Sequence, residues 1–317
     1  MTMIIQSAQN SSLTMLLGLA LAVIARLSWR QRLFLSGYFK HIKLASISLA
    51  TRPWLQPTSQ NHGVPHLTSQ IPEFHSPEKR EKLALVIPTL CEAENIGAVI
   101  GHVRSVLHPL SVPYEIVVVD DDSPDGTGAI VAAIARQDEH VRLLVRKGQR
   151  GLSGAVLHGW QNTDATILGV MDADLQHPPE LLPKLIAAVS AGRDLAIGSR
   201  YMKGGKLGNW NPARKLLSAA AVWATWPIQQ RSLRVKDPMS GFFVVRRRCL
   251  EGIAFQCSGF KLLLEVLVRG RLTSVEEVPI SFGRRCHGAS KANLRVGRDY
   301  AQLLTRLYAG KFGWGRS

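Results

Sequence analysis

The sequence predicts an α/β protein with a doubly wound, mostly parallel central sheet, and three observations carry that prediction. Residues 83–88 (LALVIP), 115–121 (EIVVVDD) and 165–172 (ATILGVMD) are nearly continuous apolar runs, as strands buried on both faces require. Stretches of helical spacing alternate with these runs, the pattern of β-α-β units. Two carboxylate clusters follow apolar runs directly, which puts them at the carboxyl edge of the sheet, where open α/β sheets bind ligands.

Each element can be justified in chain order. From Leu13 to Ala25 nearly every residue is apolar, and Arg26, Arg30 and Arg32 follow. This run is short for a membrane span, which needs about 20 residues. Residues 1–32 therefore read as a membrane anchor with its basic flank in the cytoplasm, a cleaved presequence, or an interfacial helix or misplaced start. Residues 33–80 read as a linker; from position 52 they hold Pro53, Pro57, Pro65, Pro72 and Pro77 and no apolar periodicity.

The strand at 83–88 begins a domain expected over 81–295. A helix over 94–107, the strand at 115–121 and a helix over 131–137 follow. Further strands are expected at 141–146, 165–172 and 194–198. A helix over 181–192 ends at Gly192, a plausible C-terminal cap. In residues 296–317, Tyr300, Leu303, Leu304 and Leu307 share a helical face. That face suits an anionic membrane surface or docking on the domain equally well.

Composition narrows the class. With 46% hydrophobic residues in 317, the chain has ample material for a core and is not disordered. The four cysteines are scattered without a C-x-x-C pair, which argues against a zinc site or a disulfide scaffold and for reduced thiols. The net charge of +16 is unevenly spread: residues 81–190 carry 14 acidic and 8 basic groups, residues 191–317 carry 7 and 23. An acidic half followed by a basic half suggests a cation bound on one side and an anion or anionic membrane on the other. Nucleic acid is the rival partner for the basic half. No basic motif interleaved with aromatics supports it. The run Arg246-Arg247-Arg248 reads as solvated or facing lipid headgroups.

The chemistry lies in the two acidic clusters. One is Asp120-Asp121-Asp122-Ser123-Pro124-Asp125, the other Asp172-Ala173-Asp174-Leu175-Gln176-His177. Carboxylates one residue apart at a strand end can face one hard cation, Mg2+ or Mn2+, which completes its shell with water or substrate phosphates. A metal-bridged diphosphate is the natural ligand. The competing reading is that these residues cap turns and helices, and for Asp125, before Gly126, both readings stay open. His140, His158 and His177 read as structural.

Seven blocks then occur in order: VIPTLCEAEN (86–95), VVVDDDSPDGT (117–127), MDADLQHPPELLPKL (171–185), GSRYMKGG (198–205), ARKLLS (213–218), DPMSGFF (237–243) and VPISFGRRCHGASK (278–291). Together they resemble the dolichol- or polyprenol-phosphate mannosyltransferases, inverting family 2 glycosyltransferases with a GT-A (Rossmann-like) fold. The resemblance covers about 210 residues. It implies that Pro88, Glu92 and Asp121 contact the nucleotide. It implies that Asp172, Asp174 and Gln176 hold the divalent metal. Arg285 and Lys291 would fold over the donor diphosphate, with Gly288 and Ser290 shaping that loop. Arg200 and Arg214, with Ser218 nearby, would hold the acceptor phosphate, so that Asp174, Arg200 and Arg214 form the catalytic set.

Some positions depart from the family pattern. PTLCE replaces the usual PTYNE, so Leu90 stands where a tyrosine could stack on the base, and Cys91 where asparagine is usual. Asp122 replaces a common Asn, Ser153 interrupts a common Gly-Leu-Gly, and Arg284 replaces a common acid. The expectation is transfer of mannose from GDP-mannose to a dolichyl or polyprenyl phosphate by a membrane-associated enzyme. The catalytic domain would lie on the cytoplasmic face, with room for a membrane-protein partner. A UDP-sugar donor, such as UDP-glucose, is the alternative; an inactive scaffold of the same fold is opposed by the intact Asp172, Asp174, Arg285 and Lys291.

Overall fold

The computed structural model describes residues 69–71, 81–203, 212–255, 261–281 and 294–312; of residues 69–70, 212–217 and 294–296 it describes the backbone. The expected N-terminal anchor or presequence therefore lies outside the described residues. Among the described residues no helix is long and apolar enough to cross a membrane.

The apolar runs become strands. β1 (Ser69–Gln70) is followed by β2 (Leu83–Thr89), α1 (Ala93–Leu107), β3 (Tyr114–Asp120), α2 (Thr127–Ala135), β4 (Val141–Val145), α3 (Leu152–Gln161) and β5 (Ile167–Val170). Then come α4 (Leu182–Ser190), β6 (Leu195–Ser199), α5 (Pro212–Ala224), β7 (Phe243–Arg246), β8 (Ala254–Phe255), α6 (Leu262–Arg269), β9 (Val275–Pro279) and α7 (Leu294–Phe312). Seven strands form one sheet in the order β4-β3-β2-β5-β7-β6-β9. The pairs β2–β3, β2–β5, β3–β4 and β6–β9 are parallel. The mostly parallel α/β sheet expected from sequence is thus present. Only β7 runs antiparallel, to both β5 and β6.

Alternation along the strands supplies both layers. Leu83, Leu85 and Ile87 join Ile96, Val99 and Val103 of α1 and Leu182 and Leu185 of α4. Ala84 and Val86 join Val156 and Trp160 of α3 and Leu263 and Val266 of α6 on the other face. Each such side chain, taken out of water, contributes about 1.5–3 kcal/mol, which explains why runs without polar residues are needed. Helix α4 ends as expected near Gly192. The Arg193 N–H donates to the Ala188 carbonyl at 3.1 Å and the Gly192 N–H to Val189 at 2.9 Å. The turn needs φ +103° at Gly192, which glycine adopts without a Cβ penalty.

Three stretches differ from the sequence expectations or decide between them. Within the stretch read as linker, Ser69–Gln70 pairs antiparallel with β8 and Ile71 is fully buried. Three residues are too few to show periodicity, so composition alone hid them. The arginine run is only partly solvated: Arg248 is exposed, whereas Arg246 and Arg247 are not. Arg247 is buried and donates to the Ala165, Trp160 and Thr163 carbonyls, Arg246 pairs with Glu81 at 2.9 Å, and Arg248 pairs with Asp194 at 3.1 Å. Finally, α7 is docked. Leu303, Leu304, Leu307 and Tyr308 are buried, and the Tyr300 and Tyr308 hydroxyls donate to the Ala221 and Ala224 carbonyls. Its apolar face is covered by the domain and is not left for a membrane.

Asp194 ties the start of β6 to the turn before β9. Its buried carboxylate accepts from the Thr273 and Ser274 N–H groups at 2.7 and 3.2 Å. Burial pushes its pKa up, but the Thr273 donors and Arg248 outweigh this and hold it well below the usual carboxylate range. A depressed folded pKa means the stabilisation is fully present above about pH 4 and is lost as pH falls through the folded value. Asp194→Asn should therefore cost about 2 kcal/mol at pH 7. In urea unfolding, the gap from the unsubstituted protein should narrow steadily below about pH 4.

Candidate active site

The carboxyl ends of β2, β3, β5 and β6 define one edge of the sheet. Because β7 is reversed, the turn before it reaches the same edge. The site is built from these five loops.

At the β2–β3 end the acidic cluster is mostly structural wiring. Asp120 is buried; it accepts from the Thr89 hydroxyl at 2.8 Å and the Ser123 N–H at 2.9 Å. Asp125 accepts from the Ala93 N–H at 3.0 Å and from the Thr127 N–H at 3.1 Å, the first residues of α1 and α2. Of its two readings, the structure shows the cap. Asp121 is also buried. Its Oδ1 accepts from Arg146 Nε at 2.8 Å and its Oδ2 from the Gly151 N–H at 2.8 Å. Asp121 therefore anchors the 147–151 loop beside the β2 end. Pro88 lies next to the end of β2, opposite Val119. Glu92 is the N-cap residue of α1 and accepts from Asn95 Nδ2 at 2.9 Å. Cys91 holds φ +55°, a conformation that costs a Cβ-bearing residue on the order of 1 kcal/mol and that asparagine tolerates better.

The second cluster follows β5. Asp174 is buried and accepts from the Gln176 N–H at 3.1 Å. Leu175, between them, has φ +58°. Backbone strain of this kind gathers at functional sites because the surrounding structure must hold it in place. His177 is buried beneath the loop, accepts from the Asp172 N–H at 3.4 Å and packs on Phe242. Burial lowers its pKa to about 4, with Asp174 opposing and Arg200 adding to that fall. It is a neutral support for the loop, as the sequence reading held.

The β7 turn completes the edge. Its register places Phe243 opposite Val170, so the residues before β7 run alongside the residues after β5. A Cβ on Gly241 would stand 2.7 Å from Asp172 Oδ2, so only glycine leaves this carboxylate its place. Asp237 is fully buried and grips Arg200: Nε and Nη2 donate to its two oxygens, each at 2.8 Å, and the Arg200 N–H adds a third bond at 3.0 Å. Glu277 on β9 accepts from the Lys236 and Asp237 N–H groups at 2.9 and 3.1 Å, fixing the turn that carries Asp237. The Tyr201 hydroxyl meets Ser218 Oγ at 2.8 Å, joining the loop after β6 to α5.

Comparison with known proteins identifies the arrangement. The family model "Glycosyl transferase family 2" matches residues 84–267. The chain belongs to glycosyltransferase family 2. A dolichol-phosphate mannosyltransferase of Pyrococcus furiosus is 42% identical over 226 residues, covering 71% of this chain and 63% of that protein. The Saccharomyces cerevisiae protein of the same name is 36% identical, covering 73% and 88%, and a polyprenol monophosphomannose synthase of Mycolicibacterium smegmatis is 37% identical, covering 67% and 81%. Among solved structures, glucosyl-3-phosphoglycerate synthase of Mycobacterium tuberculosis with Mn2+, UDP-glucose and phosphoglyceric acid superposes with a TM-score of 0.54. It is 19% identical and covers 78% of this chain and 89% of that one. At that identity the likeness shows the fold: a GT-A-like glycosyltransferase domain.

In this glycosyltransferase the structure brings Asp172, Asp174, Gln176 and Arg200 to one edge, together with Pro88, Glu92 and Asp121. Arg214 lies on α5, one turn before Ser218, with its side chain outside the described residues; Arg285 and Lys291 lie outside them altogether. Among the described residues no group of three His, Cys, Asp or Glu side chains forms a metal cage. The sequence reading gave no role to Asp237 or Gly241, although both stand in a block it singled out. The signal was there in the D-x-x-S-G spacing. Its meaning depends on the reversal of β7, which the sequence does not announce.

Gly241→Ala should displace the Asp172 carboxylate with little effect on the core. Transferase activity should fall roughly tenfold or more. The divalent-metal concentration giving half-maximal activity should rise, while the thermal midpoint changes little. A metal titration of the purified variant checks this.

Proposed function

We propose that the protein transfers mannose from GDP-mannose to a polyprenyl phosphate, with inversion, at the cytoplasmic face of a membrane. The observation that carries this reading is the meeting, across Gly241, of the Asp172–Asp174 carboxylates with the Arg200–Asp237 pair. An acidic metal-type loop and an anchored guanidinium at one sheet edge suit a diphosphate donor and an anionic acceptor. The mannosyltransferase relatives name the sugar and the lipid class.

The donor set fits a hard divalent cation. Asp172, Asp174 and Gln176 offer oxygen ligands, Gly241 leaves space for the Asp172 carboxylate, and a site with few protein ligands suits Mg2+ or Mn2+ shared with substrate phosphates. Such a cation, when bound, stabilises negative charge on the departing diphosphate. Arg285 and Lys291 would supplement that charge stabilisation, as the family resemblance implies.

The acceptor is a phosphate monoester with a second pKa of about 6, so it is already largely dianionic at neutral pH. Its oxygen can attack the anomeric carbon while the bond to the diphosphate oxygen breaks, and no proton has to be removed. The geometry agrees: Asp237, the carboxylate nearest Arg200, is committed to it by two bonds and is not poised as a base. The task left to the protein is positioning, by Arg200 and by Arg214 and Ser218 on α5. The acid-free, apolar N-terminal segment and the basic second half of the chain support a membrane location and leave room for a membrane-protein partner.

The decisive experiment supplies labelled GDP-mannose, UDP-glucose and UDP-GlcNAc in turn to purified protein in detergent with Mg2+ or Mn2+ and a polyprenyl phosphate. Label should reach the lipid phase from GDP-mannose alone and vanish in Asp174→Ala. Transfer from a UDP-sugar would move the enzyme to the glucosyl branch, a reading that Leu90 in place of the stacking tyrosine favours. No lipid product from any donor would overturn the proposed acceptor.

A further inference from the structure

Tyr201 and Ser218 bring two hydroxyls together at this edge. The Tyr201 hydroxyl lies 2.8 Å from Ser218 Oγ, and both residues are half-buried. Each stands on a fixed base. Tyr201 follows Arg200, whose backbone N–H and guanidinium are both held by Asp237. Ser218 belongs to α5, and the Ala221 carbonyl, nearly a turn further on, accepts from the Tyr300 hydroxyl at 2.6 Å. The Tyr201 ring centroid is also 5.9 Å from Arg200 Cζ, within range of a cation–π contact. One side chain therefore touches both the anchored guanidinium and the serine.

A hydroxyl has one proton to donate and two lone pairs with which to accept. The pair can thus be arranged in two ways. If Ser218 donates to Tyr201, its single proton is used, and it can offer an incoming anion only lone pairs. If Tyr201 donates to Ser218, the serine proton is left for the anion. A phosphate takes donors, so its arrival selects the second arrangement. A phenol is also more acidic than an aliphatic alcohol, which favours it as the donor. Successive hydrogen bonds polarise one another, so the serine proton becomes a better donor when its oxygen accepts from the phenol.

We propose that Tyr201 is a positioning residue for the acceptor: it donates to Ser218 Oγ and so commits the serine proton to the polyprenyl phosphate, beside the Arg200 guanidinium. This rests on the phosphate-acceptor reading above. The serine then donates in one direction instead of rotating freely, and the same tyrosine that sets it lies against the guanidinium, so the two phosphate contacts are set relative to each other.

The test is a double-mutant cycle on the full chain in detergent, with Tyr201→Phe, Ser218→Ala and the two combined. Phenylalanine keeps the ring beside Arg200 and removes only the hydroxyl. Each single change should raise the acceptor KM roughly three- to tenfold, with kcat and the donor KM within about twofold. In the Ser218→Ala background, Tyr201→Phe should add less than about a twofold further rise, because its route to the phosphate runs through that serine. Ser218→Thr, which keeps a hydroxyl, should recover most of the acceptor affinity. Farnesyl phosphate without donor should raise the thermal midpoint of the unsubstituted protein, and that rise should shrink in the same pattern. The rise given by GDP with Mn2+ should not. An unchanged acceptor KM in Tyr201→Phe would overturn the proposal. So would an equal penalty for Tyr201→Phe with and without the Ser218 hydroxyl, since the phenol would then act independently of the serine. Loss of the GDP response in step with the farnesyl phosphate response would mean that the bond merely braces this edge, and would overturn it too. If the unsubstituted protein moves no label from any donor, the functional reading fails, while the farnesyl phosphate shifts in the same set of proteins still decide whether Tyr201 acts through Ser218.

Discussion

The buried pair between Arg200 and Asp237 is the constraint around which the site is arranged. Asp237 is fully enclosed, so its charge is tolerable only with a close cation and satisfied oxygens. Two guanidinium bonds and a backbone N–H supply that. The same bonds hold the guanidinium in one orientation before any substrate arrives, which lowers the entropy lost on binding. Burial lowers the Arg200 pKa and Asp237 more than compensates, so the side chain stays charged. Glu277, by holding the turn, extends the constraint to the last strand of the sheet.

The reversal of β7 makes this pair possible. In an all-parallel sheet the residues before a strand lie at the opposite edge from the site. Running β7 antiparallel between β5 and β6 brings Asp237, Ser240 and Gly241 to the carboxyl edge. One short segment then touches both halves: Gly241 lies against Asp172, Asp237 holds Arg200, and Ser240 Oγ donates to the Gly198 carbonyl at 2.7 Å. Metal-type loop and guanidinium are set relative to each other by a single turn.

How much of this could be read in the sequence depended on the range of the interaction. Runs such as LALVIP and EIVVVDD were legible because burial on both faces of a strand leaves a local mark. The D-A-D-L-Q loop was legible for the same reason, since its groups are neighbours in the chain. The role of Asp125 needed the structure: a carboxylate before glycine has the same appearance whether it binds a ligand or caps a helix. Asp237 and Gly241 stood in a recognisable D-x-x-S-G block, but their roles were hidden because their partners, Arg200 and Asp172, lie far away in the chain. The Arg246–Arg248 run misled in part: Arg248 is exposed, but Arg247 is buried against three carbonyls and Arg246 pairs with Glu81, partners that three adjacent charges do not announce. The amphipathic pattern of α7 was correctly read, but a membrane and a protein surface demand the same pattern.

The docking of α7 has a consequence in time. The Ala221 and Ala224 carbonyls belong to the last turn of α5, where no intrahelical N–H can reach them, and they are met by Tyr300 and Tyr308. Lys311 does the same for Ile228 and Gln229 just beyond. The helix that bears Arg214 and Ser218 is thus closed off by side chains made some eighty residues later, as the sequence separations of 79 and 84 show. During synthesis the β2–β5 half of the sheet can assemble early, while α5 waits for residues 300–311 to leave the ribosome. A nascent chain would therefore finish the β2–β5 edge before the helix that bears Arg214 and Ser218 is closed off, so the two parts of the site are completed in the order of translation.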